Sequence, residues 1–463
     1  MINKPVCVFQ SGLFTRSGYG DWSFEIAKSL IKYDKFDVKF VPTPWGACSK
    51  RELDNSDPMT REIVGRVLTT NLTRQPEVFI QSTIPSEFIT PAKFNIGLTA
   101  FIETTLPRPE WIEKMNSMNL NIVLSKFNKE VASNTAYNKN LPNGIVEELK
   151  LKIPIETLFW GADTSKYFKT NEKNDSLEES MKNIPETFCF LFVGQWTAGN
   201  MRADRKGIGF LIKTFLETFA NTSNPPALIL KTSGAQICIM DRHDCINKIN
   251  DVTNMVKSAL PVGSKLPNVY LLHGELNDKE MNSLFNHEKV KIHTSFSHGE
   301  SWGHPGLLST LTGKPVLYPN WSGHIDYLNP KYCKYFEGSL VNVPDEAHND
   351  WFIKDSKWFD VDYTAAGQKM KYYYNNYNGK ILENAEALRI ENMEKFSLES
   401  MNKEFHSMLD KYVPKFAVEQ PIILPKLKRL NLPSVTHNNK EVEIKSPDIA
   451  LNKETSDTTL TKI

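Results

Sequence analysis

Two runs of alternating strand-like and helix-like segments, separated by a charged stretch with no strand signal, constrain the fold of this chain more than any other feature. The first run places strands at 6–10, 37–41, 77–81, 95–100 and 121–124, a glycine-bearing loop at 11–20, and helices at 22–32, 111–118 and 126–133. The stretch 169–183 is charged and reads as a linker or surface excursion. A second run follows, with strands at 188–193, 227–231, 269–273 and 290–294 and helices at 208–219, 246–258 and 278–286. Alternation of this kind builds parallel sheets covered by helices. Two runs in 463 residues predict two doubly wound α/β domains facing one cleft, with ligands gathered at the carboxyl ends of the strands. The expected boundaries are 1–170 for the first domain, 171–187 for the linker and 188–392 for the second domain. A helix over 393–412, within a segment 393–413, is expected to pack back toward the first domain. The remainder, 414–463, is polar, rich in lysine and asparagine and dotted with proline, and reads as mostly disordered.

Within the second run, residues 296–328 carry the densest chemistry. Glu300 stands just ahead of the turn Trp302-Gly303-His304-Pro305-Gly306, and 307–312 reads as a short helix. Backbone N–H groups at a helix start face whatever lies in front of them, and glycines let an anion come close. Gly313-Lys314-Pro315 then stops the helix, and 316–318 reads as a short buried strand. Lys231, ending the strand 227–231, should face the same cleft mouth. Gly18 and Gly20 could cradle an acceptor or a phosphate, or simply form a tight turn.

Composition narrows the chemistry. A net charge of +1 and a pI near 7.6 carry no polyanion-binding signature. The six cysteines are scattered without a CxxC pair, and the histidines show no metal-ligand spacing, so a metal is not expected. No apolar run approaches the roughly 18 residues of a membrane span, and no leader pattern opens the chain, which makes the cytoplasm the expected location.

Several segments resemble the retaining glycosyltransferases of family 4, which have the GT-B fold. Phe192-Val193-Gly194, Arg205-Lys206-Gly207 and the helix after them are similar to the first strand, loop and helix of that family's donor domain. The strand ending at His273-Gly274 is similar to the one whose loop holds the nucleobase, Glu300 to Leu308 to the E-x7-E motif, and Lys314-Pro315-Val316 to the turn after it. Looser matches are Glu103 to Asn116, Ser125 to Glu130 and Gly161-Ala162-Asp163. The resemblance runs in order over about 6–412. It implies transfer of a sugar from a nucleotide sugar, UDP- or GDP-linked, to a hydroxyl acceptor, with retention, without a metal and without a cofactor.

The resemblance also distributes roles. Lys206, with Arg205 as a second cation, and the turn Gly303, His304, Gly306 and Leu307 are implied to stabilise the leaving diphosphate. Glu300 is implied to bond hydroxyls of the donor sugar and to favour positive charge on its ring, and Glu103 or Thr104 to occupy the loop beside that sugar. His304 is equally read as filling space, and His324 with Asp326 lies near the same strand end. Three positions depart from the pattern. The second motif glutamate is Leu308, the arginine after the first donor-domain glycine is Gln195, and all ten histidines lie at or after His243, so none can stand in the N-terminal domain. A saccharide, a glycolipid or a modified base in DNA are candidate acceptors. The lysine- and asparagine-rich composition and the NWSGH segment, similar to viral members, motivate the DNA option and a host-cytoplasm location. The departures motivate a different reading, a nucleotide-sugar binding protein without turnover. A GT-B epimerase, acting on the nucleotide sugar alone, is a third.

Overall fold

The computed structural model describes residues 4–46, 48–140, 145–196, 199–234 and 237–416. In the first half the strands are β1 (Val6–Ser11), β2 (Asp37–Pro42), β3 (Val78–Ser82), β4 (Phe94–Thr99), β5 (Leu120–Val123), a hairpin β6 (Ala136–Asn140) and β7 (Val146–Lys150), and β8 (Ile155–Thr157). All but the hairpin form one parallel sheet in the order β2-β1-β3-β4-β5-β8. Its helices are α1 (Gly18–Tyr33), α2 (Pro58–Gly65), α3 (Pro109–Ser117) and α4 (Lys126–Asn134).

The second half opens with α5 (Asp175–Met181), followed by β9 (Cys189–Val193), α6 (Ile208–Phe219), β10 (Ala227–Lys231), α7 (Ile239–Ala259), β11 (Val269–Leu272), α8 (Asp278–Asn286), β12 (Val290–Thr294), α9 (His304–Thr310) and β13 (Val316–Leu317). Its five strands are parallel in the order β11-β10-β9-β12-β13. An antiparallel pair, β14 (Gly338–Asn342) and β15 (Lys357–Val361), and three helices, α10 (Tyr363–Asn375), α11 (Gly379–Lys395) and α12 (Leu398–Tyr412), complete the described chain.

The strand sequences explain the layering. CFLFV and ALILK are almost continuously apolar and buried, as strands covered on both faces must be. Phe190, Phe192, Leu228 and Leu230 pack with Ile212, Phe215 and Phe219 of α6. In the other half Phe9, Phe40, Ile80 and Ile96 pack with Trp22, Ile26 and Leu30 of α1.

Three expectations are revised. The helix expected over 393–412 is broken: α11 ends at Lys395, and Ser397 caps α12 by accepting from the Ser400 N–H. The stretch 169–183 is not a bare excursion, because α5 buries Leu177 and Met181, and Lys289 donates to the Ile184 carbonyl at 2.6 Å. The helix expected at 246–258 starts seven residues earlier, at Ile239, where Cys238 caps it. Residues 417–463, which hold most of the expected disordered tail, lie outside the described residues.

The chain passes between the halves twice, after β8 and again between α11 and α12. The passages touch: Ala162 N–H donates to Phe396 O at 2.8 Å and Leu398 N–H to Ala162 O at 2.9 Å. A Cβ on Gly161 would stand 2.6 Å from the Ser397 carbonyl oxygen. From there α12 lies along α1, with His406 against the Ser29 carbonyl at 2.9 Å and Tyr33 donating to Asp410 at 2.7 Å.

Candidate functional site

The loop between β9 and α6 ends in Asp204-Arg205-Lys206-Gly207. Buried Asp204 folds this corner: it accepts from Lys206 N–H at 3.1 Å and from Ile208 N–H at 2.8 Å, capping α6. Burial raises the Asp204 carboxyl above its ordinary range, against those two backbone donors. Gly207 adopts φ 62°, and a Cβ there would lie 2.4 Å from the Phe296 carbonyl oxygen, so only glycine lets this corner reach the next loop. That next loop, between β12 and α9, is stitched to it by His298 N–H donating to Arg205 O at 2.8 Å.

The stitching sets the charges. Lys206 Nζ lies 2.5 Å from Glu300 Oε1, and Arg205 lies 3.7 Å from the same oxygen. Arg205 also reaches across to Glu103, in the loop between β4 and α3, at 3.5 Å. The halves meet tightly there, because a Cβ on Gly299 would fall 2.0 Å from the Glu103 carbonyl oxygen. These four charged side chains are 15–24% exposed, largely desolvated yet open at one edge. Burial alone would raise the Glu300 pKa; Lys206 and Arg205 outweigh it and hold the carboxyl at about 2. Burial opposes the Arg205 charge, and Glu103 and Glu300 outweigh that, so its pKa is raised. Sequence reasoning named all four residues, and the fold brings them together at the carboxyl ends of the strands.

The turn after Glu300 differs from the expected anion cradle. Gly303, with φ 74°, precedes α9, but Pro305 has no N–H and Gly306 N–H is taken by Gly303 O at 2.9 Å. Leu307 N–H faces the Tyr327 hydroxyl, which itself donates to Gly303 O at 2.7 Å. Gly306 is glycine for packing, since a Cβ would lie 2.4 Å from that hydroxyl. The expected cradle from Gly303 to Leu307 is therefore reduced to the N–H groups of Gly303 and His304. The His304 ring stacks on Trp160 of the other half, with centroids 3.7 Å apart, and burial lowers its pKa to about 3. Leu308 is 8% exposed and packs in the core.

The remaining expected residues form two neighbouring groups. Lys231 donates to Gly274 O at 2.6 Å, and its pKa is lowered chiefly by burial. His273 lies 2.7 Å from Asp241 of α7, whose carboxylate also accepts from Gly234 N–H at 2.8 Å, so His273 braces a loop and does not stand beside Glu300. Gln195, in place of the expected arginine, donates to Gly234 O at 3.1 Å. Gly18 and Gly20 open α1. Gly20 is glycine because a Cβ would lie 2.2 Å from the Thr15 carbonyl oxygen, whereas Gly18 faces open space. Asp326 accepts from Lys126 N–H of α4 at 2.9 Å, and His324 is wholly buried against Pro319 O at 2.7 Å.

Other residues of the site escaped the sequence. Ser322 has φ 75°, rare for a residue with a side chain, and its hydroxyl accepts from Glu300 N–H at 3.0 Å. Phe101, with φ 59°, turns the loop that carries Glu103. Tyr19 donors and acceptors pin that loop, its hydroxyl 2.9 Å from both Ala100 N and Thr99 Oγ1. Across the cleft, Arg16 lies 3.7 Å from Glu275 and Ser49 donates to it at 3.3 Å. Positive φ at a serine or phenylalanine leaves no local sequence mark. The tyrosine between the two glycines of 18–20 was the one visible signal.

Among the described residues, no group of three or more His, Cys, Asp or Glu is placed to hold a metal ion, and no helix is long and apolar enough to cross a membrane. No protein-family model matches the sequence. No curated protein matches it either. Solved structures do resemble it. HepE from Anabaena, solved in complex with UDP-glucose, superposes with a TM-score of 0.54 at 13% identity, covering 88% of this chain and 100% of that one. A glycosyltransferase from Rickettsia africae gives 0.56 at 14% identity, covering 89% and 99%. Sucrose-phosphate synthase from Thermosynechococcus elongatus gives 0.56 at 9% identity, covering 88% and 99%. At these identities the likeness concerns architecture, and with the two parallel sheets described above it establishes that this chain has the GT-B fold.

Proposed function

We propose that this chain is a glycosyltransferase that moves a sugar from a nucleotide sugar, UDP- or GDP-linked, to a hydroxyl acceptor, with retention and without a metal. The observation that carries the reading is the four-charge cluster of Glu300, Lys206, Arg205 and Glu103 between the two halves. As a glycosidic bond breaks, negative charge grows on the leaving diphosphate and positive charge on the sugar ring, so a site gains most from cations on one side and a carboxylate on the other. Lys206 has three donors and Glu300 takes one, which leaves others for phosphate oxygens. Glu300, fully ionised at neutral pH, faces the ring, and Glu103 orients Arg205 from the opposite wall. The UDP-glucose bound in the HepE structure supports a nucleotide-sugar donor.

The alternative, donor binding without turnover, is favoured by Leu308, which packs in the core where the related pattern has a ribose-binding glutamate, and by the engaged amide of Gln195. Release of UDP or GDP from a panel of nucleotide sugars, with and without saccharide acceptors, separates the two. Nucleotide release that stops in Glu300→Gln supports transfer; tight donor binding with no release from any donor would rule it out in favour of the second reading.

A further inference from the structure

A cavity of about 150 Å³ lies at the opposite end of the second sheet from the cleft, between the residues that lead into β13, the loop after Tyr332, and α11. Three lysines line it, Lys314, Lys334 and Lys380, together with Asn384 and Tyr372, and no carboxylate does. Lys314 is the inner one. Its ammonium donates to His287 O at 2.6 Å, so two of its three N–H groups have no protein acceptor among the described residues. The charge acting on it from the protein is another cation, Lys291, and burial with that repulsion lowers its pKa to about 7. Lys334 has no carboxylate partner among the described residues, and Lys380 has a loose 3.6 Å contact with exposed Glu383. Glu391, whose charge reaches neighbouring Cys333, is already held by Lys395 at 2.9 Å. The first turn of α11, which carries Lys380, has no side-chain cap and no acidic residue. A helix start is electropositive, so a lysine there adds to the local excess of positive charge.

We propose that this cavity is a binding site for a small phosphate-bearing anion, separate from the donor cleft. Lys314 meets the anion at the base, and Lys334 and Lys380 close over it with the Asn384 amide. Three lysines around a pocket with no carboxylate in its lining match a phosphate group, which accepts several charge-assisted hydrogen bonds at once.

The probe is inorganic phosphate, titrated calorimetrically into the full chain and followed by thermal shift. Phosphate binding is expected in the unaltered chain and persists in Lys206→Ala, whose substitution removes the cleft's own phosphate contact. Loss of two charge-assisted contacts in the double variant Lys334→Gln, Lys380→Gln, both exposed and therefore safe for folding, should weaken binding by about tenfold or more. Lys314→Met should abolish it. Three results would overturn the proposal: no phosphate binding at all, binding unchanged in the lysine double variant, or binding lost in Lys206→Ala, which would place the anion in the cleft.

Discussion

Replacing Glu300 by Gln keeps the shape of the side chain and removes its charge. The surroundings lower its carboxyl from 4.5 to about 2, which corresponds to about 3 kcal/mol in favour of the ionised form. Arg205 keeps Glu103 after the substitution, while Lys206 loses its only carboxylate among the described residues, and the open edge of the site lets water screen part of the loss. The expected cost is about 1–3 kcal/mol at pH 7, visible as a fall of about 2–12 °C in Tm if the half carrying the site unfolds as a unit. The sign with pH follows from the direction of the shift. A carboxyl depressed in the folded chain contributes fully above its unfolded value near 4.5 and loses that contribution as pH falls toward 2. The Tm gap between the two proteins should therefore be widest at pH 7 and narrow below about pH 4.5. In parallel, the rate of UDP or GDP release should fall at least a hundredfold, with donor affinity changed far less. A Tm gap that does not narrow on acidification would refute the charge argument. An unchanged release rate would refute the placement of Glu300 beside the reacting sugar.

Gly306→Ala would set a methyl group 2.4 Å from the Tyr327 hydroxyl and 2.7 Å from a Tyr318 ring carbon, and is expected to cost about 1–3 kcal/mol, read from denaturant midpoints. Ser322→Ala keeps the unfavourable φ and loses the bond to Glu300 N–H, for a loss of about 1 kcal/mol, whereas Ser322→Gly also relieves the backbone and should lie closer to the unaltered chain; equal losses in the two variants would argue against stored strain. Burial, with Lys291 beside it, lowers Lys314 from 10.5 to about 7, so the unfolded chain binds the extra proton between those values and stability should rise with pH across that window. Lys314→Met should lose that share of the rise from pH 7 to 10 in Tm scans.

The segments legible in the sequence are those whose burial is uniform. Ile208–Phe219, Ala227–Lys231, Asp278–Asn286 and Val290–Thr294 fold with the bounds their apolar patterns predict, because the two helices bury an apolar face and the two strands are buried almost throughout. The hairpin β6 and β7 was missed for the opposite reason: most of β7 is exposed and carries no alternation to read. The break at Phe396 was obscured because apolar residues continue through it, and only Ser397, a cap three residues ahead of Ser400, marks a new helix start. At the site, Lys206 and Glu300 were legible as motif positions, but their 2.5 Å contact depends on Gly207 and Asp204 bending one loop onto another. The anion cradle was overestimated on two counts: Gly306 N–H is taken by Gly303 O within the turn itself, and Leu307 N–H meets the hydroxyl of Tyr327, twenty residues away and invisible to local reasoning.

The two passages between the halves have a mechanical meaning. Linked by a pair of backbone hydrogen bonds at Ala162 and pressed together at Gly161 and Ser397, they form a single pivot rather than two separated tethers. A crossing of this kind favours rotation about one point over sliding of the halves past each other. Rotation about that crossing would part the loops that carry Arg16 and Glu275, and those that carry Glu103 and Gly299, while the register of the halves at the crossing stays fixed. Rotation about a fixed crossing would return the charged side chains to the same alignment, which lets a site assembled from two bodies keep its geometry.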